Sequence, residues 1–208
     1  MDLRDTYELI AEDWHKSNHD DTWWVEGTDR FISELPSDAS VLDVGCGGGT
    51  KSRYLASKGL AVTGIDFSEK MVEIARRESP DIHFEVADLY QIDAYPEMFD
   101  GIFAQAVLLH VPKSDIKSIL TKLRGRLKPG GLLYIAVKGI KDDGKEEVVK
   151  KENEYGYEYE RFFSYFTLVE LENYLNELSM EIVWKSSSVA GRATWLQIIG
   201  RRKSTEGR

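Results

Sequence analysis

Val41-Leu42-Asp43-Val44-Gly45-Cys46-Gly47-Gly48-Gly49 is the stretch that decides the fold. Four residues with a mostly apolar pattern read as a short buried strand. The strand carries an acid and breaks into a glycine-rich turn, and Thr50 to Lys58 then reads as a helix. In a parallel α/β sheet, such a junction is where nucleotide-like ligands sit. Glycine lets the backbone pass close to a ligand at positive φ, and the helix that follows presents free N–H groups to an anionic group. The spacing is Asp-x-Gly-x-Gly-x-Gly and departs from the Gly-x-Gly-x-x-Gly of dinucleotide enzymes.

Outward from this turn, strands and helices alternate. Ala61 to Asp66 is a second strand, again ending on an acid, and Ser68 is a suitable N-cap for the helix after it. Ile82, Phe84 and Val86 alternate as a third strand, and Phe99 to Val107 is a fourth, apolar enough to be buried on both faces. Ile116, Ile119, Leu120, Leu123 and Leu127 share a helical face, which Lys128-Pro129-Gly130-Gly131 should stop and turn. Leu132 to Val137 is the fifth strand. Thr167 and Glu170 have capping-box spacing and open a helix towards Leu178. Met180 to Lys185 and Thr194 to Ile199 read as a closing antiparallel hairpin, with a polar turn around Ser186 to Gly191. The alternation implies a mostly parallel sheet covered by helices on both faces.

Bulk composition narrows the class. The chain has 208 residues, 42% hydrophobic and 30% charged, with a net charge of −9. This suits one globular domain and argues against general affinity for nucleic acid or anionic membrane. Cys46 is the only cysteine, so no intrachain disulfide forms. Met1 to Arg4 lacks the basic-then-apolar opening of a secretion signal, and no apolar run approaches a membrane span. A cytoplasmic protein is expected. The four histidines and single cysteine have no zinc-site spacing, so no metal is expected.

Three successive strands end at or beside an acid: Asp43, Asp66 and Asp88. Asp66 lies 21 positions after Gly45, the distance at which a carboxylate reaches ribose hydroxyls. It could equally cap the following helix. Asp88 could accept from an adenine amino group, with Leu89 packing on the ring, or could simply be solvated.

The runs LDVGCGGG (42 to 49), GIDFS (64 to 68), VADL (86 to 89), FDGIFAQAVLLHV (99 to 111) and LKPGG (127 to 131) resemble the class I S-adenosylmethionine-dependent methyltransferase family. The resemblance covers nearly all of residues 39 to 137, and is specific for fold and cofactor rather than for substrate. It implies a Rossmann-like seven-stranded sheet of order 3-2-1-4-5-7-6, the last strand antiparallel, under an N-terminal helical cap. It also implies S-adenosyl-L-methionine as cofactor and S-adenosyl-L-homocysteine as product. Gly45, Cys46 and Gly47 should line the methionine part, with Asp43 near its ammonium group. Asp66 should bind ribose, Phe67 should lie against adenine, and Asp88 and Leu89 should hold its far edge. Gln105 and Ala106 should flank the sulfonium.

Four segments are expected around that core: a helical cap over 1–38, an aromatic acceptor-side insertion over 138–166, a final helix and hairpin over 167–200, and a frayed tail over 201–208. Tyr7, Ile10, Ala11 and Trp14 share a helix face that can pack on the core, cover the cofactor with Tyr7 and Trp14, or do both; Trp23 and Trp24 could extend that cover. His110, just after the fourth strand, could take a proton from an acceptor, its ordinary pKa being about 6.5; the alternative is a histidine that only holds its loop. Tyr157, Arg161, Phe162 and Tyr165 are the candidate acceptor pocket, with Arg161 available to an anion, and Lys141 to Glu154 is expected to be a solvated, mobile loop. The acidic chain and aromatic insertion favour a small-molecule acceptor methylated at oxygen or nitrogen by in-line displacement. A tRNA or protein methyltransferase and a non-catalytic cofactor-binding module stay open, and the sequence is silent on oligomeric state.

Overall fold

The computed structural model describes residues 2–17, 22–141 and 143–204. Its centre is a seven-stranded sheet. The strands are β1 (Ser40–Val44), β2 (Ala61–Asp66), β3 (His83–Val86), β4 (Phe99–Gln105), β5 (Leu127–Lys138), β8 (Met180–Ala190) and β9 (Ala193–Arg202), in the order β3-β2-β1-β4-β5-β9-β8. The first five are parallel, and β9 runs antiparallel to both its neighbours. This is the order expected from the sequence, with two further strands inserted before the last pair: β6 (Glu147–Glu152) and β7 (Tyr159–Ser164), which form a separate antiparallel ribbon.

Alternation along β5 shows how the sheet is buried on both sides. Leu132, Tyr134 and Ala136 join the cluster holding Phe31 of α2 (Val25–Ser33) and Leu55 of α3 (Thr50–Ser57). Leu133, Ile135 and Val137 join the cluster holding Ile116, Ile119 and Leu123 of α5 (Lys113–Gly125) and Leu171 and Leu175 of α6 (Leu168–Glu177). Both sets are buried. A continuous apolar strand sandwiched by helices is what both-face burial requires. At α6, Thr167 and Glu170 form the expected capping box, which contributes about 1 kcal/mol.

Helix α1 (Leu3–Ser17) lies between α4 (Glu69–Glu78) and the ribbon. Ala11 packs with Met71 and Ile74 of α4, and the Thr6 hydroxyl donates to the carbonyl of Glu160 on β7 at 2.8 Å. The Glu8 carboxylate accepts from the backbone N–H of Glu69 at 2.6 Å, placing negative charge at the α4 N-terminus, where the helix dipole favours it.

Three expectations change. Lys128 to Gly131 does not simply turn the chain: β5 begins at Leu127, pairs with Phe99, and passes an irregularity before Leu132 meets Gly101. Gly131 is needed there, because a Cβ would lie 2.9 Å from the Lys128 carbonyl oxygen and 3.0 Å from that of Asp100. Lys141 to Glu154 is not all loop, since Glu147–Glu152 pairs with β7 along its whole length. The closing hairpin is longer than expected: Ser186 to Ala190 continue β8, Ala190 pairs with Ala193, and Arg201 and Arg202, expected in the tail, end β9. Residues 205–208 of that tail fall outside the described residues.

Candidate active site

The glycine loop leaves β1 and enters α3 through left-handed residues, with φ of +70° at Gly45, +52° at Gly47 and +78° at Gly49. The Gly45 and Cys46 N–H groups both donate to the Ile65 carbonyl, at 2.8 and 2.9 Å. This ties the loop to the end of β2. Asp66 ties it again: one carboxylate oxygen accepts from Gly47 N–H and the other from Ser68 N–H, each at 2.9 Å. The helix cap that Asp66 might have supplied comes from Ser68, whose hydroxyl accepts from Met71 N–H at 3.2 Å. Each Asp66 oxygen therefore keeps acceptor capacity for a ligand.

Asp43 is 2% exposed and Asp66 7%. Burial raises both carboxyls to about 6, against the hydrogen bonds that favour the charged form, chiefly from Ser52 for Asp43 and from Ser68 and Gly47 for Asp66. The Ser52 hydroxyl donates to Asp43 at 2.5 Å. Two buried, charge-averse carboxylates flanking one loop favour a ligand that brings an ammonium group or hydroxyl donors. At the end of β4, Gln105 lines the same cavity, and its Oε1 is buried without a hydrogen-bond partner among the described residues. Ala106 then turns the chain at φ +57°, a conformation that costs an L-residue about 1 kcal/mol or more.

All twelve residues named for the cofactor line adjoining cavities along this edge of the sheet. Asp43, Cys46 and Gln105 share one lobe with Trp14 and Lys51. Phe67, Asp88 and Leu89 share another with Arg4 and Tyr90. Gly45, Gly47, Asp66, Ala106 and Tyr7 meet between them. Asp88 caps a short 3-10 turn, accepting from Tyr90 N–H at 2.9 Å, and pairs with Arg4 at 3.4 Å. Burial pushes the Cys46 thiol up, which disfavours the nucleophilic thiolate. Trp23 lines the lobe that holds Asp43 and Gln105 and stacks on Trp195 at 3.8 Å and 13°. Trp24 does not line that lobe: it is buried edge-on against Tyr54.

His110 sits where α1, the ribbon and the end of β4 meet. Its Nδ1 lies 2.7 Å from the Phe162 carbonyl oxygen, which can only accept, so Nδ1 carries the proton. Nε2 is then a bare lone pair, and the Tyr7 hydroxyl donates to it at 2.8 Å. Burial lowers the His110 pKa to about 3, so the ring is neutral.

The acceptor-side residues divide by strand alternation. Arg161 lines a cavity on the far side of Tyr7, with Tyr155, Phe163, Lys138 and Lys150. The other three named residues do not line it. Phe162 falls on the opposite face of β7 from Arg161 and Phe163 and contributes its carbonyl to His110. The Tyr157 hydroxyl donates to Asp13 at 2.7 Å, and Tyr165 is buried in the core. Arg161 is not free for an anion, because its guanidinium holds Glu152 bidentately at 2.6 and 2.9 Å. Lys138 and Trp195 were not expected in this cavity, because only the pairing of β5 with β9 sets them side by side. Among the described residues no cluster of His, Cys, Asp and Glu could hold a metal ion, and no helix is long and apolar enough to cross a membrane.

Comparison with known proteins fits this geometry. Residues 41–131 match a family described as "Methyltransferase domain". Over 100 residues the chain is 35% identical to a ubiquinone biosynthesis O-methyltransferase of Coxiella burnetii, covering 46% of this chain and 42% of that one. Over 116 residues it is 38% identical to its Xylella fastidiosa counterpart, covering 52% and 46%. The chain thus spans less than half the length of these curated relatives. A Burkholderia thailandensis 1,6-didemethyltoxoflavin-N1-methyltransferase, solved with bound 1,6-didemethyltoxoflavin and S-adenosylhomocysteine, superposes with a TM-score of 0.76 at 20% identity, over 97% of this chain and 88% of that one. A Methanosarcina mazei S-adenosylmethionine-dependent methyltransferase gives 0.71 at 24%, over 83% and 96%. The family match is thus confined to residues 41–131, and the chain built around them shares the fold of these solved methyltransferases.

Proposed function

We propose that the protein transfers a methyl group from S-adenosylmethionine to an oxygen or nitrogen of a small molecule. The observation that carries this reading is the buried Gln105 Oε1, without a partner among the described residues at the end of β4, in a cavity shared with the glycine loop, Asp43 and Asp66. Bound S-adenosylmethionine supplies an activated methyl group on a sulfonium. This chain's residues then have the tasks of binding, alignment and exclusion of water.

Asp43 would face the amino-acid end and Asp66 the ribose hydroxyls. Phe67, Asp88 and Leu89 would enclose the base. Tyr7 and Trp14 of α1 would close over the centre, their rings 6.3 Å apart edge to face. His110 would hold Tyr7 in place, and its neutral Nε2 would accept from an acceptor hydroxyl that displaced the Tyr7 hydroxyl. The ribbon of β6 and β7 would form the acceptor-side wall. The O-methyltransferase names of the curated relatives favour oxygen. The direct test is incubation with methyl-labelled cofactor and a metabolite extract, with mass identification of the labelled product. A labelled small molecule is expected; label found only in RNA or protein would move the acceptor to a macromolecule.

A further inference from the structure

Three cations converge on one aromatic ring. Lys138 Nζ lies 4.8 Å from the centroid of Phe163, Lys150 Nζ 5.0 Å, and the Arg161 guanidinium 5.2 Å. The arrangement is costly in the protein alone. Lys150 and Arg161 are directly opposed across the β6–β7 ribbon, where like charges destabilise. Among the described residues two carboxylates line the recess, Glu152 and Glu154, and Arg161 takes both oxygens of Glu152. Lys138 forms no ion pair with any described residue; its ammonium rests between the faces of Phe163 and Trp195, the latter at 5.4 Å. Burial, with Arg161 and Lys150 nearby, lowers its pKa to about 8. The cluster lines a cavity that also touches Tyr7 and His110. A positive recess in a chain of net charge −9 needs a local explanation, and a bound anion supplies one.

We infer that the acceptor carries a carboxylate or phosphate on a flat, ring-like body, and that Lys138 and Lys150, rather than Arg161, bind that anion. The ammonium groups stand 4.8 and 5.0 Å from the centroid of the Phe163 ring, and Trp195 and Tyr155 line the same recess beside the rest of the molecule. The charge holds the acceptor in register and is distinct from the atom that is methylated. Neutral analogues would leave the lysines desolvated and facing one another, which gives selectivity by penalty as well as by attraction. The inference rests on the methyltransferase reading and gives its acceptor a chemical class.

The test uses the full chain saturated with S-adenosylhomocysteine and three probes in calorimetry: 4-hydroxybenzoate, 4-hydroxyphenyl phosphate and neutral 4-hydroxybenzamide. At least one anion should bind ten-fold or more tightly than the amide, and more weakly as salt rises; which anion wins identifies carboxylate or phosphate. Lys138→Met should reduce anion affinity at least ten-fold and leave S-adenosylhomocysteine affinity within two-fold, whereas Lys138→Arg should retain the preference. Lys150→Met, on the less buried ribbon, provides a second variant should Lys138→Met fold poorly. Equal binding of amide and anions overturns the inference, as does an anion preference unchanged in both Met variants. It is equally overturned if no anion binds a protein that does bind S-adenosylhomocysteine. Failure of S-adenosylhomocysteine itself to bind counts instead against the methyltransferase reading.

Discussion

The Tyr7 hydroxyl donates to His110 Nε2 across 103 positions of sequence, 2.8 Å apart. Because Nδ1 of the same ring is spent on the Phe162 carbonyl, the contact joins helix α1, the segment after β4 and strand β7 in one chain of hydrogen bonds. Removing the hydroxyl with Tyr7→Phe leaves a buried nitrogen lone pair unsatisfied, a loss of about 1–2 kcal/mol. The expected outcome is a lower melting temperature and faster hydrogen exchange in α1. Under the proposed function, the cofactor should also dissociate faster. Unchanged exchange in α1 would show that this bond does not hold the cover.

The same bond bears on catalysis. A ring whose pKa is held at about 3 stays neutral throughout the physiological range. If His110 takes the acceptor proton, turnover in His110→Asn should fall 10²-fold or more, with cofactor affinity nearly unchanged. If His110 only positions Tyr7, both Tyr7→Phe and His110→Asn should give the same modest loss, seen mostly in KM. Steady-state kinetics of the two variants separates these outcomes.

Burial of Asp43 makes stability depend on pH. Its carboxyl, raised from 3.8 to about 6 by burial, binds more protons folded than unfolded between those values. Its contribution to stability is therefore fully present below about pH 4 and lost as pH rises through 6. Two units correspond to roughly 3 kcal/mol at pH 7. Asp43→Asn should melt at a higher temperature than wild type at pH 7, with the gap closing as pH falls towards 4. The same variant should bind S-adenosylhomocysteine at least ten-fold more weakly. A melting difference that is flat with pH would contradict the assignment.

Ala106 carries a left-handed backbone at the end of β4. Ala106→Gly should raise stability by about 0.5–1 kcal/mol, because glycine adopts positive φ without the Cβ clash. Ala106→Val should lower it by more than that. Denaturant unfolding of the three proteins is the measurement, and a destabilised glycine variant would show that the turn is not strained.

The ribbon depends on the Arg161–Glu152 pair, whose side chains are only 12% and 15% exposed. Arg161→Met removes the bidentate partner of a mostly buried Glu152 carboxylate, an expected loss of about 3 kcal/mol. Hydrogen exchange should increase first in β6 and β7, with β1, β4 and β5 unaffected. The double variant Arg161→Met with Glu152→Gln should recover much of the loss.

The legible parts of this molecule were those governed by local pattern. Val41 to Gly49, Ala61 to Asp66 and Phe99 to Gln105 announce buried parallel strands because apolar runs end at acids or glycines, and Thr167 to Glu170 announces a helix start by its capping chemistry. The edge of the sheet was harder. Glu147 to Glu152 reads as a loop because Glu-Val-Val-Lys-Lys-Glu is mostly charged, and it becomes a strand only by pairing with β7. Phe162 and Phe163 are adjacent and chemically alike, so nothing in sequence says which faces the cavity beside Tyr7; the fold puts Phe163 there. Arg161 reads as a free cation until the fold brings Glu152 across the ribbon to it. Lys138 and Trp195 are 57 positions apart, and no periodicity links them.

The central claim is that the glycine loop, Asp43, Asp66 and Gln105 form a pocket for S-adenosylmethionine. Calorimetric titration of the full chain with S-adenosylhomocysteine, beside NADH under identical conditions, tests it most directly. Saturable one-to-one binding of S-adenosylhomocysteine, lost in Asp66→Ala, with no heat from NADH, is the predicted result. NADH binding more tightly than S-adenosylhomocysteine, or S-adenosylhomocysteine affinity unchanged in Asp66→Ala, would contradict it.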